Sequence, residues 1–137
     1  MKKFDSPPEC ELHAALLAGD MSAALRILAD GVDVTVRDSR EMIGNNQTAL
    51  HYAVVFDDAA LIEQIIECGA DIDAQATTGQ TALWWACNGG HRNSVKVLLE
   101  KGADPNIRSS EGYSPLDRVL ASDASIIQLL RSFGASD

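Results

Sequence analysis

Two arrangements of apolar and polar positions alternate along the chain. In the first, a Ser or Thr precedes Ala or Pro and then Leu, opening a short apolar run: Thr48 Ala49 Leu50 His51 Tyr52 Ala53, then Thr81 Ala82 Leu83 Trp84 Trp85 Ala86, then Ser114 Pro115 Leu116. A hydroxyl residue ahead of a tolerant first helical position reads as an N-cap, so each run predicts a short helix. In the second, apolar residues recur at helical spacing, as in Val95, Leu98 and Leu99, and predict a second helix entered through a turn of Gly or Asp: Gly19 Asp20, Asp57 Asp58 or Gly90 His91. Gly31, Gly69, Gly102 and Gly134 then stand where a left-handed C-terminal cap residue is wanted, and a turn-rich polar stretch follows each of the first three.

The alternation is an internal repeat. Leu50, Leu83 and Leu116 are spaced 33 residues apart, and Ile65 Ile66 Glu67 Cys68 Gly69 Ala70 Asp71 returns as Leu98 Leu99 Glu100 Lys101 Gly102 Ala103 Asp104. With Leu12 His13 Ala14 Ala15 upstream, this gives four units, approximately 9–41, 46–76, 79–109 and 112–135, in a single domain spanning 9–135. Residues 1–8 form an N-terminal tail, with Ser6 Pro7 Pro8 Glu9 reading as a capping box. Neither helix of a unit can bury its apolar face alone, so stability has to come from stacking neighbours.

Thr48-x-Leu50-His51-x-Ala53 with Gly69 Ala70 Asp71, and Gly90 His91 followed by Val95, Leu98, Leu99, Gly102, Ala103 and Asn106, resemble the ankyrin repeat. The resemblance implies an all-α ankyrin-repeat solenoid of helix-turn-helix units with hairpin fingers, the first and last units acting as caps. It also implies a concave face, made of finger tips and first helices, that binds other proteins. In the family pattern the Leu-His imidazole bonds neighbouring backbone and the Thr hydroxyl, which assigns structural roles to Thr48 and His51; Thr81 occupies the same cap position, and Gly69 and Gly102 end helices.

Departures from the pattern mark this particular chain. Leu12 to Leu50 is 38 residues, which puts a five-residue insertion within residues 37–44 of the first finger, where Met42 and Ile43 are expected to project. The Gly-His turn becomes Asp57 Asp58 in the second unit, and the helix before it ends Val54 Val55 Phe56. Trp84 stands at the His position of the third unit. Asp117 and Arg118 are expected to face outward in the capping fourth unit.

Charge narrows the partners. The 137 residues carry a net charge of −9, all of it within residues 1–75. Such a chain attracts neither phosphate backbones nor anionic lipid, so the expectation is a cytoplasmic monomer with a protein partner, no nucleic acid and no membrane. Met1 Lys2 Lys3 is followed by Phe4 Asp5 Ser6 Pro7 Pro8, with no apolar signal stretch. Asp33, Asp38, Glu41, Asp57, Asp58, Glu63, Glu67, Asp71 and Asp73 could steer a basic partner, solubilising charge being the plainer account.

Candidate chemistry is sparse. His13, His51 and His91 share no ligand spacing, so no metal is expected, and no cofactor either. Cys10, Cys68 and Cys87 are odd in number and lack a Cys-x-x-Cys spacing, which suits reduced thiols, with Cys87 at a core helix position. Neither a nucleophile motif nor a phosphate loop stands out, and the chain reads as a non-enzyme. Asn46 Gln47 Thr48 matches a glycosylation acceptor, accidental if Thr48 caps a helix. Asn106, at the family's finger-end Asn, is a candidate position for asparaginyl hydroxylation, against the simpler reading that it ties the finger together.

Carried over position by position, the resemblance places a partner on Asn45, Gln47, Thr77, Thr78, Gln80, Ser110, Glu111 and Tyr113 of the fingers and on Leu17, Val55, Phe56 and Asn88 of the first helices. Phe56, Tyr113 and Trp84 rank as anchors, flanked by Arg40, Met42 and Ile43 of the insert. Tyr52 and Trp85 are assigned to packing between repeats. The expected function is non-catalytic protein binding through this face. The alternatives are a stoichiometric inhibitor, such as a bacterial immunity-type protein neutralising a basic toxin or enzyme, and more remotely a thiol-dependent enzyme.

Overall fold

The computed structural model describes residues 10–40 and 45–136. The capping box at 6–9 and the insert residues Met42 and Ile43 lie outside them. The helices are α1 (Glu11–Leu17), α2 (Met21–Ala29), α3 (Ala49–Ala53), which continues as a 3-10 turn (Val54–Phe56), α4 (Ala59–Glu67), α5 (Ala82–Asn88), α6 (Arg92–Glu100) and α7 (Ala124–Ser132), with a second 3-10 turn at Leu116–Arg118. Each short connection folds a second helix back on its first. The substantial packing is between elements of the same or adjacent units: α1 on α2 and α3, α3 on α4 and α5, α4 on α6, α6 on α7. That is a solenoid, with a core that runs the length of the stack.

The register leucines Leu12, Leu50 and Leu83 are fully buried, joined by Leu16, Leu61, Ile62, Ile65, Leu98, Ile126 and Leu130. Side-chain carboxylates start the second helices. Asp20 caps Ala23 N–H at 3.0 Å, Asp58 caps Ala60 and Leu61 N–H at 3.1 and 3.3 Å, and Asp123 lies 3.5 Å from Ile126 N. In α6 the N-cap residue His91 gives no side-chain cap. Instead Asp57, from the preceding unit, accepts Ser94 N–H at 2.9 Å and the Asn93 amide at 3.2 Å.

This bond accounts for the Asp57 departure. Asp57 takes the left-handed conformation (φ 53°) that Gly19 and Gly90 supply in the equivalent turns. The strain of order 1 kcal/mol for a non-glycine residue is offset by a cap that ties two units together.

One element is shorter than expected. Ser114 and Asp117 bond reciprocally, Ser114 N–H to Oδ2 at 2.8 Å and Asp117 N–H to Oγ at 3.2 Å, yet only a three-residue 3-10 turn follows. Leu116 is half-buried where its counterparts are buried. A helix this short depends on packing against neighbours, and the last first helix has a described neighbour on one flank alone.

Candidate functional site

Three fingers close on equivalent backbone bonds. Ala76 N–H donates to Gln80 O at 2.9 Å, Ser109 N–H to Tyr113 O at 2.8 Å, and Asp38 N–H to Gln47 O at 2.7 Å. The insertion therefore sits between Asp38 and Gln47. A side chain braces each finger just before this pair: Arg37 donates to Asn46 O at 2.9 Å, Gln75 to Gly79 O at 3.0 Å, and Arg108 to Gly112 O at 2.8 Å. Arg37 also reaches Gln75 O at 2.8 Å, and the tips are linked by Thr77 N–H to Asn45 O and Ser110 N–H to Thr78 O. At Gly79 (φ 87°) a Cβ would stand 2.6 Å from Ser110 N, so this tip contact requires glycine twice over.

A ring N–H ties α3 and α5 each to the next finger. His51 Nδ1 accepts from Thr48 N–H at 3.0 Å, with the Thr48 hydroxyl also 3.0 Å away, which leaves Nε2–H to donate to Gln80 O at 3.0 Å. Burial dominates and lowers the His51 pKa, so the ring is neutral. Thr81 Oγ1 accepts Trp84 N–H at 3.1 Å. One repeat after His51, Trp84 Nε1–H donates to Tyr113 O at 3.0 Å and the residue is only 7% exposed. Trp84, expected as a partner anchor, is thus largely buried and engaged: its indole performs the bond that the imidazole performs in the unit before.

The first unit departs from this scheme. His13 is buried, edge-on to Tyr52 with ring centroids 5.4 Å apart, and its Nε2 has no partner among the described residues. Burial pushes its pKa down despite the nearby Asp38 and the Val36 backbone. The finger is held by a clamp instead. Asp38 takes a two-pronged bond from Arg40, Nε at 2.8 Å and Nη2 at 2.6 Å, and accepts the Tyr52 hydroxyl at 2.5 Å. Burial opposes the Asp38 charge, but Arg40 and Tyr52 outweigh it and bring the carboxyl down to about 2; burial and Asp38 push the Tyr52 phenol up. Arg40, expected in a flanking loop, is fixed at its base, and Tyr52 does more than fill space.

Two open grooves meet on this face. One, of about 500 Å³, is lined by Leu16, Leu17, Gln47, Tyr52, Val55, Phe56 and Trp85, with His51 at its floor. The other, of about 650 Å³, is lined by Ser39, Arg40, Asn45, Asn46, Gln47, Thr77, Thr78 and Trp85. Gln47 and Trp85 belong to both. Phe56, Val55, Gln47, Asn45, Thr77, Thr78 and Arg40 are thereby brought together, with Leu17 and Val55 about half exposed. Gln80 is engaged within its finger by the Thr78 hydroxyl, Glu111 is exposed at the third tip, and Tyr113 is exposed beside Arg118, which is bonded to Asn88. The sequence reading missed Trp85 as a lining residue; the 33-residue spacing from Tyr52 is the signal that could have found it.

Much of the acidic half has local work. Besides Asp38, Asp57 and Asp58, Asp33 and Asp71 accept backbone N–H groups two residues on, and Asp73 accepts Asp104 N–H. Cys87 is buried, its thiol pushed up to about 12 by burial and then by Asp123. Asn106 uses both ends of its amide, donating to Gly134 O and accepting Ser136 N–H at 3.0 Å each. Gly69 and Gly102 are left-handed. Among the described residues no group of three or more His, Cys, Asp or Glu is placed to hold a metal, and no helix is long and apolar enough to cross a membrane.

Comparison with known proteins agrees with this architecture. An ankyrin repeat of fowlpox virus is the setting of one likeness: an ankyrin repeat protein of that virus is 35% identical over 101 residues, 73% of this chain and 29% of its own length. Inversin of Gallus gallus is 30% identical over 106 residues (77% and 9%), and palmitoyltransferase Hip14 of Drosophila melanogaster 34% identical over 97 (70% and 14%). The chain spans less than a third of the length of these relatives. The ankyrin repeat domain of Bcl-3 superposes with a TM-score of 0.75 at 23% identity, over 90% of this chain and 52% of that one, and shows the same fold. The family description for ankyrin repeats, three copies, matches residues 12–109 and 50–136. With finger and ring bonds recurring from unit to unit and the family match covering most of the chain, the chain belongs to the ankyrin repeat family.

Proposed function

We propose that this chain is a non-catalytic module that binds a partner protein through the concave face formed by the two joined grooves. Ankyrin repeats generally mediate protein–protein interaction. The observation that carries the reading here is the apolar trough of Leu17, Val55 and Phe56, exposed at first-helix ends, bordered by neutral amide and hydroxyl residues of the fingers. An apolar centre ringed by polar groups is the usual anatomy of an interaction surface. Asn45, Gln47, Thr77 and Thr78 supply the rim. Gln80, Asn88, Glu111 and Tyr113 extend it toward the fourth unit.

The inhibitor alternative rests on the acidic first half, and seven of the acids that compose it serve as caps, turns or clamp. Net charge therefore supports it less than the trough supports partner binding. The immobilised chain should capture a partner from lysate of its source, and Phe56→Ser, at an exposed position, should lose that partner while the circular dichroism spectrum stays unchanged. Capture unaffected by Phe56→Ser and by Val55→Ser would overturn the concave site. Capture lost at raised salt but retained by both variants would favour the charge-based alternative.

A further inference from the structure

One first-helix position, two residues after the register leucine, recurs at equivalent places along the stacked units. At 33-residue intervals it holds Tyr52, Trp85 and Arg118. Tyr, Trp and Arg are the three residue types most enriched at the energetic centres of protein interfaces. Tyr52 and Trp85 line the apolar trough. Arg118 continues the series one unit further and is exposed.

Among the described residues Arg118 is held in place without a counter-ion. Its Nε and Nη2 donate to Asn88 Oδ1 at 3.1 and 3.0 Å, and its guanidinium lies 5.3 Å from the Trp84 ring centroid and 5.5 Å from that of Tyr113. Stacking on two aromatic faces fixes the plane of the fork before any ligand arrives. Two of its five N–H donors are used within the chain. The acids nearest in sequence are committed elsewhere: Asp117 to Ser114 N–H and Arg108, Asp123 to the start of α7. Among the described residues no carboxylate lies within ion-pair distance of Arg118. Residues 76–137 hold six acids and six bases, so the end of the molecule around Arg118 does not share the −9 of the other end.

We infer that Arg118 is the carboxylate-binding point of the concave face, and that the partner segment it fits carries an Asp or Glu beside apolar side chains that enter the Tyr52–Trp85 trough. This rests on the concave-face reading above and adds the partner's chemistry. A fixed planar fork prefers a carboxylate, which takes two parallel N–H bonds, and a charged acceptor is bound more strongly than a neutral one. The same guanidinium rejects a basic segment by like-charge repulsion.

The probe is a random peptide library displayed on phage, selected against the intact chain. Retained peptides should be enriched in Asp or Glu next to apolar residues, and a peptide made from the consensus should bind about tenfold more weakly to Arg118→Gln. Its acid-to-amide version should lose a similar factor on the native chain and little further on Arg118→Gln, which is the coupling a direct contact requires. Arg118→Lys should fall between the two. Circular dichroism of each variant separates misfolding from lost binding. Selected peptides that are basic or neutral, or losses that simply multiply, overturn the assignment to Arg118. If those peptides still depend on Phe56 and Trp85, the concave reading survives alone; retained peptides insensitive to all three residues, or none retained, remove both.

Discussion

The first and third fingers stand on the same scaffold and are held by different chemistry. Asp38 and Ser109 occupy equivalent positions, each giving its N–H to the residue that closes the finger. In the third finger the Ser109 hydroxyl is buried with no partner among the described residues, and an indole N–H from the preceding first helix fixes the closing carbonyl of Tyr113. In the first, His13 leaves its Nε2 without a partner, and the Asp38 side chain gathers Arg40 and Tyr52. A five-residue insertion has displaced a ring-to-backbone bond and is accompanied by a side-chain clamp at its base. Binding surfaces can be varied at a finger in this way while the stack beneath keeps its register.

The sharpest way to break this contrast is to remove the clamp at one end and the equivalent side chain at the other. Asp38→Ala deprives Tyr52 and Arg40 of their buried acceptor and should cost about 3 kcal/mol in urea unfolding. Ser109→Ala discards a hydroxyl that makes no bond and should change stability by less than about 0.5 kcal/mol. Equal losses at the two positions would show that the clamp contributes nothing beyond what any finger base contributes.

A smaller effect separates the two histidines. His51→Phe leaves Thr48 N–H without its acceptor and should cost about 2 kcal/mol, whereas His13→Phe, which removes a buried nitrogen that makes no hydrogen bond among the described residues, should cost less than about 1 kcal/mol. Both imidazoles have folded pKa values below the ordinary 6.5. The unfolded chain therefore binds more protons than the folded one just below that value, and stability, fully present above about pH 6.5, declines as pH falls through it. Each Phe variant should flatten this slope. Asp38, with its carboxyl near 2, adds a second decline below about pH 3.8 that Asp38→Ala should lack. Urea midpoints measured between pH 4 and 8 test the first decline, and acid titration followed by circular dichroism the second.

These contrasts also show what was legible in the residues. The repeat and its caps could be read because each is a local pattern that returns along the chain, and the Thr48–His51 pair because it matches the family's pattern. Asp57 was visible as a departure, but its purpose was not, because the N–H it caps belongs to the next unit. The clamp joins residues on both sides of an insertion, which hides the equivalence of Asp38 with Ala76 and Ser109 until the finger closure is seen. Arg118 is exposed, as its place in the capping unit predicts, but neither Asn88 nor two aromatic faces can be assigned to it from spacing alone. The role of Trp84 as a ring donor was not legible, because its bond is to a backbone carbonyl one finger away; that bond shows a ring N–H recurring in two successive units on different rings.

That last point gives the finest test. Trp84 and Trp85 are adjacent, with ring centroids 5.0 Å apart, but Trp84 Nε1–H bonds Tyr113 O while Trp85 Nε1 is buried without a partner among the described residues. Trp84→Phe removes the tie to the third finger and much of the platform under Arg118, and should cost about 1–2 kcal/mol. Trp84→His should recover part of this if ring N–H groups are interchangeable at that position, as His51 indicates. Trp85→Phe forfeits no hydrogen bond and should cost less than about 1 kcal/mol, its effect falling on the groove it lines. Urea unfolding followed by circular dichroism is the measurement, since each variant also deletes a fluorophore. If Trp85→Phe proves the more costly of the two, the packing of Trp85, and not the bond to Tyr113, is what holds the third finger to the helices behind it.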